Sequence, residues 1–226
     1  MYRKRSVTGS WASAAVIALV LGAAGCGGGG PAPSSKGDST HAATEDSASP
    51  LGASRLKKTL PDLQSMPTGW KAGATSLHST DIPKDTPCGK AADFCGMTSY
   101  ADVQYDNANS TGNVHIALSG YEGVEAAQAG YKSRSVTFAS ENDREISMPM
   151  VGNASVARTG SHNTSGQPLT SMVMRVGTVV VAMVYTHKGE VDPQVLLSLA
   201  RMQATRIEQS QRGENPIASL AGRPMG

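Results

Sequence analysis

Apolar side chains recur along this chain with two different periods, and the switches between them outline its elements. Leu56, Leu60 and Leu63 recur at helical spacing in SRLKKTLPDLQSMPTGW. Pro61 interrupts them, so one or two short helical turns are expected before Pro67, with Trp70 entering the core. Ser99–Tyr105 and Val114–Tyr121 alternate in part and flank the turn-forming DNANSTGN, which predicts a hairpin. Gly123–Phe138 carries Val124, Ala127, Tyr131 and Phe138 at roughly helical steps, so a helix is expected there. REISMPM and ASVARTG are two strand candidates, and the strongest apolar run is TSMVMRVGTVVVAMVYT, Thr170–Thr186. That run is β-branched and too long for one flat strand, so Gly177 marks a hairpin turn or a bulge. Asp192 then supplies an N-cap and Pro193 a first helical residue. Val195, Leu196, Leu199, Met202 and Ile207 give the apolar face of a helix reaching about Gln211.

This order predicts an α+β fold: a mostly antiparallel β-sheet packed by helices, in a single domain. Without βαβ alternation a doubly wound nucleotide-binding fold is not expected. Met172 and Met174 share one face of a strand, with Met183 on the returning strand. Such adaptable side chains fill cores, and the sharper alternative makes Met172, Met174 and Met183 a ligand-binding pocket or partner surface.

The N-terminus changes the picture. Arg3, Lys4 and Arg5 precede the apolar stretch Trp11–Ala24, which is shorter than the roughly 20 residues a spanning helix needs. A basic start, a short apolar core and small residues at its end predict a signal peptide over residues 1–25. The following order, Ala23-Ala24-Gly25-Cys26, resembles the lipobox of bacterial lipoproteins, although Ala23 stands where Leu is usual. The resemblance implies cleavage before Cys26 and a diacylglyceryl thioether on its sulfur. It also implies an anchor on the extracytoplasmic face of the cell membrane, since two acyl chains hold far more firmly than one. Residues 26–53 are rich in Gly, Pro, Ser, Ala and Thr and are expected to be a disordered tether. Residues 54–212 form the expected domain, and 213–226 an expected disordered tail.

Losing Arg3, Lys4 and Arg5 from 20 Lys+Arg leaves 17 against 18 Asp+Glu. That balance argues against a nucleic-acid partner, which needs a clustered basic face. Cys88 and Cys95, bracketed by Pro83, Pro87 and Gly96, are best read outside the cytoplasm as a disulfide clamping a loop. The other readings are a metal pair, for which His78 is the only nearby histidine, and a redox couple, which usually has CxxC spacing.

The five histidines, His41, His78, His115, His162 and His187, are scattered, with His115 among apolar neighbours on a strand. No HExxH motif or i,i+4 pair occurs, and no metal or cofactor is expected. His187, Glu190 and Asp192 lie close together in a loop that could bind a cation weakly, although such a loop is more often simply solvated. Ser54-Arg-Leu-Lys57 matches SxxK without an SDN or KTG partner, and there is no GxSxG, GxGxxG or P-loop. Asp102 and Asp106, on a strand and its turn, are expected to be solvated rather than catalytic. The sequons at Asn109, Asn153 and Asn163 are expected to be chance matches.

PMVGNASVARTG, VMRVGTVVVAMVYT and a closing helix with LLSLARMQATRIEQ are together similar to actinobacterial lipoprotein sensor-like domains. That group includes the extracellular domain of PknH-type membrane kinases. LPDLQSMPTGW also looks like the opening of such domains. The resemblance covers about 60 residues at the C-terminal end and about ten at the start, and includes no catalytic residue. It implies a cleft flanked by two disulfides, whereas this chain can form only one once Cys26 is lipidated.

The expected function is a non-enzymatic ligand-binding or sensing module of the cell envelope. Its partners would be the membrane, through Cys26, and a small envelope ligand or a membrane protein. The alternative is an envelope scaffold working by protein contact.

Overall fold

The computed structural model describes residues 48–73, 77–84, 94–107, 109–162 and 164–223, all within one compact unit, Ala43–Gly226. Its centre is an eight-stranded antiparallel sheet with three helices against it, an α+β domain. The strands are β1 (Lys71–Ala72), β2 (His78–Asp81), β3 (Met97–Asp106), β4 (Gly112–Tyr121), β5 (Arg144–Ile146), β6 (Ala154–Ser161), β7 (Pro168–Val176) and β8 (Val179–His187). Their order is β1-β3-β4-β8-β7-β6-β5, with β2 beside β1 on the outer edge of β3. The helices are α1 (Ala53–Thr59), α2 (Val124–Thr137) and α3 (Pro193–Gln211).

Local chemistry sets several boundaries. Asp192 Oδ1 accepts from Gln194 N at 2.8 Å and Pro193 opens α3, as the sequence predicts. Gly177 adopts φ +56°, a left-handed conformation open to glycine, and turns β7 into β8. Pro61 follows α1, and a single 3₁₀ turn, Leu63–Ser65, comes next. Asp62 caps that turn, its Oδ1 accepting from Ser65 N at 2.8 Å and Ser65 Oγ at 2.6 Å. Those bonds hold the Asp62 carboxyl below its ordinary range.

The main core lies between one sheet face and α1 with α3. Leu56, Ile116, Leu118, Met174, Met183, Leu196, Leu199 and Ile207 are fully buried there. A polar clasp crosses this core. Arg206 of α3, 4% exposed, donates from Nε to Thr59 O at 2.9 Å and from Nη2 to Leu60 O at 2.9 Å and Lys58 O at 3.4 Å. Its Nη1 donates to Ala218 O at 3.0 Å and Ser65 Oγ at 3.4 Å. All five guanidinium protons are thereby used on the carbonyls that end α1, on the 3₁₀ turn and on the C-terminal segment.

Both ends of the domain extend past their expected limits. Residues 213–223 are packed rather than a loose tail: Leu220 is 4% exposed, and its amide donates to Ser65 O at 2.8 Å. One leucine and a few backbone bonds dock a stretch whose composition alone reads as disordered. At the other end Leu51 is 3% exposed, and its carbonyl accepts from Ser99 Oγ at 2.5 Å. Residues 48–53 therefore belong to the domain rather than to a tether.

Candidate binding site

Period-two alternation sends neighbouring residues of each long strand to opposite faces. Ala101, Val103 and Tyr105 of β3, Val114, Ile116 and Leu118 of β4, and Val181, Met183 and Tyr185 of β8 join the main core. The residues between them face the α2 side. There α2 covers only one end of the sheet, packing with Met97, Tyr121, Val173 and Val180 around Ala127. The helix comes close because Gly130 lies on Tyr121; an added Cβ would fall 2.3 Å from the ring.

The other end of that face carries Asp102, Gln104 and Asp106 of β3 with Asn113 and His115 of β4, and among the described residues no helix lies over it. His162, Ser165 and Gln167, from the β6–β7 connection, wall the far side of a groove of about 670 Å³. At its base Asp102 is only 8% exposed. Its Oδ2 is 2.9 Å from His115 Nε2, and its Oδ1 is 3.6 Å from His78 Nδ1. The geometry follows from register. His78 of β2 lies opposite Asp102, whereas His115 lies opposite Gln104 and reaches Asp102 along the diagonal. Asp106 Oδ1 accepts from Asn113 Nδ2 at 2.6 Å. The His115 imidazole thus supplies a hydrogen bond that water would otherwise give a buried carboxylate, and His78 stands beyond hydrogen-bond reach on the other side.

A second hollow, of about 360 Å³, adjoins the first towards α2 and is lined by Ile82, Phe94, Met97, Tyr100, Tyr121 and Arg134 among others. Tyr100 stands between the two, its ring 6.5 Å from that of His78. Burial, then the Asp102 carboxylate, raise its phenol above the ordinary range against the opposing Arg134 guanidinium. Arg134 also lies over the Phe138 ring at 5.4 Å. The face therefore offers an apolar recess beside a polar groove, the arrangement small-molecule sites favour.

Several expectations change here. Asp102 is not a solvated surface carboxylate but the buried partner of two histidines. Met172, Met174 and Met183 are 1%, 0% and 0% exposed and belong to the core on the other face, with Met172 opposite Met183. Their alternation gives them to the helix-covered side, where they fill the core, and Met172 also lines a hollow of about 230 Å³ with Ile146 and Met148. His187, Glu190 and Asp192 do not form a cation site: His187 Nδ1 accepts from Gly189 N at 3.1 Å, and Asp192 caps α3. Among the described residues no group of three or more His, Cys, Asp or Glu side chains could hold a metal ion.

Cys95 is half-buried just before β3 and is disulfide-bonded. Cys26, Cys88, His41 and Asn163 lie outside the described residues. Among the described residues no helix is long and apolar enough to cross a membrane.

No family model matches the chain. No curated protein matches it either. Among solved structures it is similar to the extracellular domain of PknH from Mycobacterium tuberculosis, at 13% identity and a TM-score of 0.48. The likeness covers 74% of this chain and 100% of that one. At that score it assigns neither a ligand nor an activity.

Proposed function

We propose that this chain is a non-enzymatic binding or sensing module on the extracytoplasmic face of the membrane, taking a small envelope ligand. The ligand would occupy the uncovered end of the α2-side face. One observation carries the reading: one end of a sheet face that α2 seals at the other is, among the described residues, left without a covering helix and is lined by hydrogen-bonding side chains. A face intended for solvent would be expected to carry more exposed charge than Asp102, Gln104, Asn113 and His115, which are all at least half-buried.

The compartment part of the reading draws on chemistry. A disulfide at Cys95 suits an oxidising environment, with Cys88 as the proposed partner closing a loop of a few residues. Cys26 is the proposed lipid attachment, after a signal peptide ending at Gly25.

The test is native mass spectrometry of the protein extracted from its own host. The expected result is a mass excess that disappears on denaturation and is lost in the Asp102→Ala/His115→Ala double variant. An excess unchanged in that variant would move the ligand elsewhere. A bare mass, with cross-links to an envelope protein in intact cells, would replace this reading with a scaffold.

A further inference from the structure

The side of the sheet edge opposite the polar groove carries a different kind of surface. Val103 and Tyr105, between the groove residues of β3, form the floor of a second groove of about 720 Å³ beside α1. Pro61, Leu63, Ala72 and Leu77 line it, and Lys57 and Lys58 stand on its rim. Leu63 is 46% exposed and Leu77 40%, although Leu56 and Leu60 nearby are buried. Lys57 and Lys58, with Arg55 a turn earlier, are all exposed. The exposed Asp62 lines the same trough and keeps its negative charge while accepting from Ser65, so two lysines face one acid and the margin is net basic. The surface is an apolar trough with a basic margin.

We propose that this trough docks the domain on an anionic lipid surface, with Leu63 and Leu77 entering the headgroup region and Lys57 and Lys58 pairing with lipid phosphates. Charge complementarity selects the occupant. A lipid surface with net negative charge attracts each lysine near it, and two leucines supply the apolar part of a weak interfacial contact. A stable protein interface needs about 800 Å² from each partner, far more than two half-exposed leucines and a proline provide.

Chain geometry agrees. α1 is the first described helix and follows directly on the buried Leu51, so the trough lies where the chain from the N-terminal side enters the domain. The roughly 20 residues from Cys26 to Ala48 have the composition of a tether that would span about 25 Å, keeping the bilayer at high effective concentration. This argument rests on the anchored reading above. Docked this way, β3 serves two partners: Val103 and Tyr105 lie on the lipid side, while Asp102 and Asp106 line the groove on the other face.

The experiment uses the full chain carrying Cys26→Ala, so that no acyl chain mediates binding. Vesicles of phosphatidylglycerol with phosphatidylcholine are compared with vesicles of phosphatidylcholine alone. Leucine methyl spectra are recorded with a spin-labelled lipid present. The expected result is broadening of the Leu63 and Leu77 methyls on the anionic vesicles, with the buried Leu118 and Leu196 unaffected. The Lys57→Glu/Lys58→Glu variant should lower partitioning to anionic vesicles about tenfold or more. Leu77→Ser, an exposed substitution that leaves α1 untouched, should lower it several-fold. Equal broadening on both vesicle types, broadening away from the trough, or unchanged partitioning in both variants would overturn the docking proposal. Membrane retention of wild type against Cys26→Ala in cells reads the anchor separately, so the two ideas can fail independently.

Discussion

Asp102 and Val103 are neighbours on β3 with nearly equal exposure, 8% and 5%, yet they are buried in different ways. Val103 is covered by apolar side chains of the main core beside α1, where it also floors the trough. Asp102 is covered by imidazoles on the two flanking strands, on a face that α2 leaves partly open. The first kind of burial is cohesive and insensitive to pairing. The second depends on each polar atom finding a partner, and it leaves a groove beside it. Low exposure alone therefore does not distinguish a core position from a site position; the chemistry of the covering atoms does.

That contrast is sharpest in substitutions on the two faces. Met183→Ala, on the helix-covered face, removes a fully buried side chain and is expected to cost about 3 kcal/mol. A denaturant midpoint close to that of the wild type would refute the assignment of this methionine to the core.

Tyr105, on the same face, gives a smaller and pH-dependent effect. Its hydroxyl donates to Pro61 O at 2.6 Å, and burial pushes its phenol up to about 12. A folded pKa above the unfolded value of about 10 means the contribution is intact below pH 10 and is lost as pH rises from 10 to 12. The expected loss is about 2–3 kcal/mol across that interval. Urea melts should show wild type losing stability relative to Tyr105→Phe as pH rises from 10 to 12; parallel pH profiles would contradict the buried phenol.

The smallest effect belongs to the open groove. His115→Ala, with 39% side-chain exposure, should change stability by no more than about 1 kcal/mol while disturbing whatever binds there. Thermal melts that show a loss as large as that of Met183→Ala would make the His115–Asp102 pair structural and weaken the site.

Most of the architecture was legible because it is written in local signals. Asp192-Pro193 caps and opens α3, Gly177 divides the long apolar run into β7 and β8, and Pro61 ends the first helical pattern. Each acts within a few residues. The His78–Asp102–His115 cluster was not legible in this way. His115 and Asp102 lie 13 residues apart, and the bond between them depends on a hairpin register that places His115 diagonal to Asp102. Reading both residues onto paired strands was possible; the one-residue accuracy needed to bring them together was not. Leu220 shows the complementary difficulty. A lone leucine in a polar stretch carries no periodicity, and its anchor point, Ser65 O, is distant in sequence. The methionines were placed on the right strands, but alternation alone does not say which face the helices cover.

The five bonds of Arg206 have a mechanical consequence. Tension arriving through the chain before Ala48 would first strain the contacts of Ser49 and Leu51 with Thr178 and Ser99, and would then pull on α1, a helix of 7 residues. Such a short helix would peel readily from the sheet if only Leu56 and the following Leu60 held it. The guanidinium instead rivets its last carbonyls to α3, a helix of 19 residues lying across β7 and β8. Force is thereby distributed into the longest element of the domain, and the α2-side groove, on the opposite face, keeps its shape under a pull applied at the N-terminus.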